Sequence, residues 1–236
     1  MPHPIDLITF DADQTISDFR AILAEALEAS AAFLNPHLPQ PVTPQALQAL
    51  REEIFHRPGN ANRKMLDLRR MSFLELLGDH PDAAKIAENA VHIFTDVRFN
   101  RTILLPGARD LLEQLHGQTR LGWITNGNSK PHHMGLDAYF DVVVVAEEIG
   151  HRKPEVEIFQ HALVQTGTAP ANWLHVGDHP ETDVAGTQAA GGIGVYLENP
   201  DHPLGQITPD HQIAHLAELP ALLSNYDLRP YAKGPK

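Results

Sequence analysis

A parallel α/β sheet with an all-helical block inserted after its first strand is the fold class this sequence predicts. Three observations carry it. A short apolar run, Ile5–Phe10, stops at an acidic pair, Asp11 and Asp13. Residues from about 18 to 100 then carry only helical patterns. Beyond residue 104 strand and helix patterns alternate, as they do when each strand is followed by a crossover helix.

The elements follow in order. IDLITF is bounded by Pro4 and Asp11 and reads as one buried strand. FRAILAEALEASAAFL, residues 19–34, spaces its apolar side chains for a helix, with Asp18 placed to cap it. Pro36, Pro39, Pro41 and Pro44 make the following stretch a loop. TPQALQALREEIF restarts the helical pattern, with Thr43 as N-cap and Pro44 at the first helical position. RKMLDLRRMSFLELLG and PDAAKIAENAVHIFTDVR supply two more helices. Pro106 and Gly107 open another in LLPGARDLLEQLHG. LGWITN, the first half of DVVVVAEEIG, NWLHVGD and IGVYLE are then expected strands, IGVYLE being the last. EVEIFQHALVQTG, TDVAGTQAAGG (closed by its glycines) and LAELPALLSN are the helices among and after them. Tyr231–Lys236 reads as a frayed tail. Residues 1–17 with 101–236 are expected to form the sheet domain, and 18–100 the helical one.

Bulk composition narrows the function. The chain has 236 residues, 42% hydrophobic and 20% charged, an ordinary globular balance. Eighteen basic against 30 acidic residues leave a net charge of −12, which argues against a nucleic-acid partner held by a broad basic face. An anionic substrate stays open, because a metal ion and a lysine reverse the field locally. Without cysteine there is no disulfide, thiolate catalysis or Cys-based zinc site. No signal-peptide pattern opens the chain and no apolar run is long enough to span a membrane, so a cytoplasmic protein is expected. The 15 histidines are scattered without HExxH spacing and read mostly as surface residues.

Polar residues gather at the carboxyl ends of the expected strands. Asp11 and Asp13 follow the first, Thr125 and Asn126 close LGWITN, and Asp178 closes NWLHVGD, with Asp183 five residues on. Lys153 sits in the loop after DVVVVAEEIG. In a parallel sheet all carboxyl ends lie on one edge, where ligands bind, so these residues are expected to converge. Asp11, Asp178 and Asp183 make a hard-oxygen set suited to Mg²⁺. Lys153 offers a point charge to a phosphate, and the Thr125 hydroxyl a donor. Carboxylates also serve as nucleophiles that form aspartyl phosphates.

Taken together, DADQT, ITNGN, RKP and GDHPETD resemble the four motifs of the haloacid dehalogenase-like hydrolase superfamily, over residues from about 5 to 222. The helical insertion resembles the C1 cap of its subfamily I. The resemblance implies a Rossmann-like core and a Mg²⁺-dependent phosphatase of small phosphorylated metabolites. Asp11 would be the nucleophile and Asp13 the general acid and base, its carbonyl also on Mg²⁺. Thr125, Asn126 and Lys153 would bind the phosphoryl group, and Asp178 and Asp183 the metal. Gln14 stands where the family usually has Gly. With Mg²⁺ and Lys153 favouring an ionised Asp11, the shared proton is expected on Asp13.

Other readings compete. Asp11 and Asp13 alone suit a turn, and Asp178 and Asp183 suit helix caps. GGIG precedes a strand and so fails as a nucleotide loop. His132 and His133 read as surface residues, and Arg69 and Arg70 as a solvated helix face. A 2-haloacid dehalogenase would use the same Asp nucleophile but needs neither a metal nor a leaving-group acid. A phosphorylation-switched binding module has no use for the long helical insertion. The sequence leaves the identity of the phosphate ester and the oligomeric state open.

Overall fold

The first apolar run is two strands, β1 (His3–Ile5) and β2 (Leu7–Phe10), and not the single strand that IDLITF suggests. Asp6 divides them: its N–H donates to Asn172 O at 2.9 Å and its carboxylate accepts from Asn172 Nδ2 at 2.7 Å. These bonds turn the chain between two sheets. In the computed structural model, which describes residues 2–60, 63–101 and 103–230, the chain divides into two compact units. One comprises residues 1–18 and 104–236, the other 19–103.

The first unit is built on β2 with β3 (Arg120–Thr125), β4 (Val142–Val145), β5 (Trp173–Gly177), β6 (Ile193–Leu197) and β7 (His211–Ile213). All pairings are parallel, in the order β4-β3-β2-β5-β6-β7. Side-chain alternation gives the sheet two apolar faces. Ile8, Phe10, Trp123, Leu174 and Val176 face helix α5 (Ala108–Leu115), with Leu219 and Leu223 beside them. Leu7, Ile124, Val144 and Trp173 face helix α7 (Val156–Thr166), which follows the short α6 (Ala146–Ile149), through Ile158 and Phe159. Central strands covered on both sides read as near-continuous apolar runs. After β2 the chain builds outward through β3 and β4, then returns to add β5 beside β2. The order therefore reverses between β2 and β5, and the carboxyl ends there form the crevice where open α/β sheets hold ligands.

Three short elements escape the sequence patterns. β7 and β8 (Tyr226–Leu228) lie beyond IGVYLE, which is therefore not the last strand. β8 pairs with β1 in a separate two-stranded sheet. The two strands have three residues each, too few to show a period. The expected helix TDVAGTQAAGG begins with a π-helical turn, Pro180–Ala185, before α8 (Gly186–Ala189).

The second unit contains α1 (Phe19–Leu34), α2 (Pro44–His56), α3 (Met65–Leu77) and α4 (Ala83–Asn100). The Thr43 side chain accepts from Ala46 N at 3.2 Å, capping α2 as expected, and Pro44 holds its first position. Leu27, Leu34, Leu47, Phe73, Ile86 and Phe94 form its core. Arg69 departs from the expected solvated face. It is 4% exposed, donates to Leu47 O and Gln48 Oε1, and stacks 4.8 Å from the Phe94 ring centroid. Its neighbour Arg70 does face solvent, paired with Glu88. The expected tail, Tyr231–Lys236, falls outside the described residues.

Candidate active site

Asp11 extends β2 by one residue, its N–H donating to Val176 O at 2.9 Å. The ladder thus carries its carboxylate to the switch point. The chain then turns tightly: Ile16 and Ser17 N–H groups both donate to Ala12 O, and Gln14 N donates to Ser17 O. Gln14 takes φ 62°, the left-handed region that glycine enters without cost. The turn leaves Asp13 half-buried, with Oδ1 accepting from Ser129 Oγ at 3.0 Å and Ser17 Oγ at 3.5 Å.

Lys153 reaches the same point from the loop after β4. Its ammonium donates to Asp11 Oδ1 at 2.5 Å and Asp183 Oδ1 at 2.6 Å, and its side chain is 2% exposed. Asn126 holds it there. The Asn126 amide accepts from Lys153 N at 2.7 Å and donates to Lys153 O at 2.9 Å, clamping the backbone on both sides. Thr125, the last residue of β3, is buried and accepts from Gly127 N at 2.9 Å. That leaves its own hydroxyl proton to donate.

Asp178 follows β5. Its Oδ2 accepts from Asn199 Nδ2 at 2.5 Å and lies 3.0 Å from His202 Nδ1. Asp183 receives Lys153 on Oδ1 and the His179 N–H on Oδ2. Gly177 makes room for it: a Cβ there would lie 2.3 Å from Asp183 Cγ, an impossible approach. So Asp11, Lys153, Asp178 and Asp183 come together, with Asp13, Thr125 and Asn126 around them.

Charge in this cluster is unbalanced, since three buried carboxylates share one ammonium. Burial raises the Asp11 carboxyl well above the ordinary range; Lys153 opposes this, while Asp183, Asp178 and Asp13 add to it. The expectation that a cationic setting keeps Asp11 ionised is therefore not met by Lys153 alone. Burial likewise raises Asp178, with Asp183 adding to it. For Asp183 burial is outweighed by Lys153 and His175, which hold it low. Burial would lower Lys153, but Asp11 and Asp183 hold it above its usual value. Oxygens of Asp11, Asp178 and Asp183 lie within 4.8 Å of one another. That span suits one octahedral Mg²⁺ with ligands at about 2.1 Å, and a divalent ion would balance the excess negative charge. The donor set thus fits the metal that the motifs imply.

Sequence reasoning missed three residues here: His175, Asn199 and His202. His175 lies inside an apolar strand and the other two in a loop after β6. The even spacing of Thr9 to Asp11 and of His175 to Gly177 was the available signal, since i and i+2 share a face. His132 and His133 meet edge to face, ring centroids 4.2 Å apart, with His132 exposed as expected.

Comparison with known proteins bears on this geometry. A family model described as haloacid dehalogenase-like hydrolase matches residues 5–191. The chain is 31% identical over 235 residues to the pyrimidine 5'-nucleotidase YjjG of Escherichia coli (strain K12), covering 94% of this chain and 99% of that protein. Its structure is similar to that of a 2-haloacid dehalogenase from Pseudomonas syringae pv. Tomato DC3000, with TM-score 0.79, 30% identity, and 93% and 98% of the two chains covered. It is also similar to the magnesium-bound putative HAD-hydrolase YfnB from Bacillus subtilis, with TM-score 0.69, 25% identity, and 93% and 99% covered.

Proposed function

The chain belongs to the haloacid dehalogenase-like hydrolases, and on that premise we propose that it is a Mg²⁺-dependent phosphatase of a small phosphorylated metabolite. The observation that carries this is the buried cluster in which Lys153 bridges Asp11 and Asp183 beside Asp178. Asp11 attacks phosphorus through Oδ2, its Oδ1 being held by Lys153, and becomes a phospho-aspartate. Asp13 protonates the leaving alkoxide and then takes a proton from the water that hydrolyses the intermediate. Proton transfer of this kind is worth about 10² to 10⁴ in rate. Ser129 and Ser17 fix Oδ1 of Asp13, which turns Oδ2 toward Gly127, where a Cβ would lie 2.7 Å from it. Thr125 donates its hydroxyl proton to a phosphoryl oxygen, and Asn126 acts by holding Lys153. Asp11, Asp178 and the Asp13 carbonyl would hold Mg²⁺, with Asp183, already accepting from Lys153 and the His179 N–H, supporting it directly or through water. Bound Mg²⁺ polarises the phosphoryl oxygens and offsets the carboxylate charge.

Among the described residues no helix is long and apolar enough to cross a membrane. The similarity to a dehalogenase supports a second reading, in which Asp11 attacks carbon and halide leaves unprotonated. That chemistry has no use for Asp13, Asp178 or a metal. The test is a phosphate-release screen over nucleotides, sugar phosphates, flavin mononucleotide and phosphoglycolate, with Mg²⁺ or EDTA, and Asp11→Asn as control. Turnover that needs both Mg²⁺ and Asp11 supports the phosphatase. EDTA-insensitive halide release from 2-haloacids, without phosphate release, replaces it with the dehalogenase.

A further inference from the structure

Behind the carboxylate cluster, buried polar groups that the proposed chemistry does not use form a continuous path. Trp173 and His175 lie two apart on β5, and Thr9 is the cross-strand partner of His175 on β2. All three therefore share a face, the face on which Asp11 continues from Thr9 and Gly177 continues from His175. Since Gly177 has no side chain, Asp183 fills that next position and meets the His175 ring. Trp173 Nε1 lies 2.7 Å from Thr9 Oγ1, Thr9 Oγ1 lies 2.7 Å from His175 Nδ1, and His175 Nε2 lies 3.4 Å from Asp183 Oδ1. Thr9, Trp173 and His175 are each 1% exposed or less, and Phe159 closes over the ring, centroids 5.5 Å apart.

Hydrogen-bond counting gives this path a direction. The indole N–H can only donate, so Thr9 Oγ1 accepts from it. A buried hydroxyl that accepted from both neighbours would leave its own proton without a partner, at a cost of about 1–3 kcal/mol. Thr9 therefore donates to Nδ1, which must be the bare nitrogen, and the ring proton sits on Nε2. That proton points at Asp183 Oδ1, the same oxygen that receives Lys153.

We propose that His175 is a positioning residue for Asp183, locked as the Nε2–H tautomer by a donor path that starts at Trp173 and passes through Thr9. The lock fixes the angle at which the Asp183 carboxylate stands beside Asp11 and Asp178. Its consequence for Mg²⁺ rests on the function proposed above; the tautomer does not.

Two measurements test it. The first is long-range ¹H–¹⁵N correlation on the metal-free wild-type protein, with the His175 ring assigned through the backbone. The expected spectrum shows a bare Nδ1 and a protonated Nε2, and Thr9→Val, which removes the donor to Nδ1, shifts the ring toward the other tautomer. An Nδ1–H or doubly protonated ring in wild type, or a ring unmoved by Thr9→Val, overturns the proposal. The second is calorimetric titration with MgCl₂ alone. His175→Gln keeps an N–H where Nε2–H was and is expected to stay within a few-fold of wild type, whereas His175→Phe loses about 10- to 100-fold, the usual effect of removing a group that orients a metal ligand. Equal affinity in His175→Phe and wild type overturns the positioning role. If wild type takes up no Mg²⁺, the metal reading fails by itself, and the ring spectra of wild type and Thr9→Val, which need no metal, still decide the donor path.

Discussion

Lys153→Met removes the ammonium while leaving an apolar side chain of similar reach, which makes the central charge arrangement measurable. In the native protein the ammonium lies 2.5 Å from Asp11 and 2.6 Å from Asp183, all three groups buried. Deleting one member of a buried ion pair costs about 3–5 kcal/mol, because the remaining charge is left uncompensated. A domain of this size loses roughly 2–4 °C in melting temperature per kcal/mol, so the variant should melt about 6–20 °C below wild type in EDTA. Asp11, already raised by burial, can take up a proton and hold the loss toward the lower end. The pH dependence has a definite sign. Lys153 and His175 hold Asp183 low against its burial, so its stabilisation is fully present above the unfolded carboxylate pKa of about 3.9 and is lost as pH falls through the native value. The gap between wild type and variant is therefore widest near neutral pH and narrows progressively as pH falls below about 4, toward the much lower native value of Asp183. Differential scanning calorimetry from pH 3 to 8 (roughly from the onset of that loss upward), in EDTA and then in MgCl₂, reads this trend. MgCl₂ should recover part of the loss by restoring positive charge to the cluster. Melting within about 2 °C of wild type at neutral pH in EDTA, or a gap that widens in acid, would refute the charge argument.

Three further outcomes are expected. Asp13→Asn should lower kcat/KM for alkyl phosphates by about 10²- to 10⁴-fold and for aryl phosphates much less, since a phenolate leaves without protonation; steady-state kinetics on both classes checks it, and equal losses would remove Asp13 as the acid. Asn126→Ala should leave the buried Lys153 N–H unpaired, at about 1–3 kcal/mol, and slow turnover by loosening the ammonium; a thermal melt unchanged from wild type would show that the clamp carries no strength. Gln14→Gly should raise stability by no more than about 1 kcal/mol, because relief of the left-handed backbone is offset by the greater freedom of glycine in the unfolded chain; urea denaturation that shows a loss instead would mean the Gln14 side chain holds the turn.

Long periodic segments are legible in the sequence. Helices α1 to α4 and α7 carry apolar residues at helical spacing, and the central strands are apolar runs, because burial against a second layer imposes its period on the chain. The acidic residues at the ends of β2 and β5 are legible too, since a parallel sheet brings every carboxyl end to one edge. Residues whose partners are distant in sequence are not. Nothing local distinguishes Asp6 as the break between β1 and β2, because the reason is Asn172, 166 positions away. Arg69 looks solvated in its own helix, and only Leu47, Gln48 and Phe94 make it an interior residue. His175 sits in an apolar strand like a core residue until Thr9 and Asp183 stand on either side of its ring. The sequence by itself determined which segments become helix or strand and which strand ends carry carboxylates. Only the tertiary structure decided which oxygen faces Lys153, which nitrogen of His175 faces Asp183, and how much negative charge is left in the crevice, because burial and hydrogen-bond direction depend on every neighbour at once.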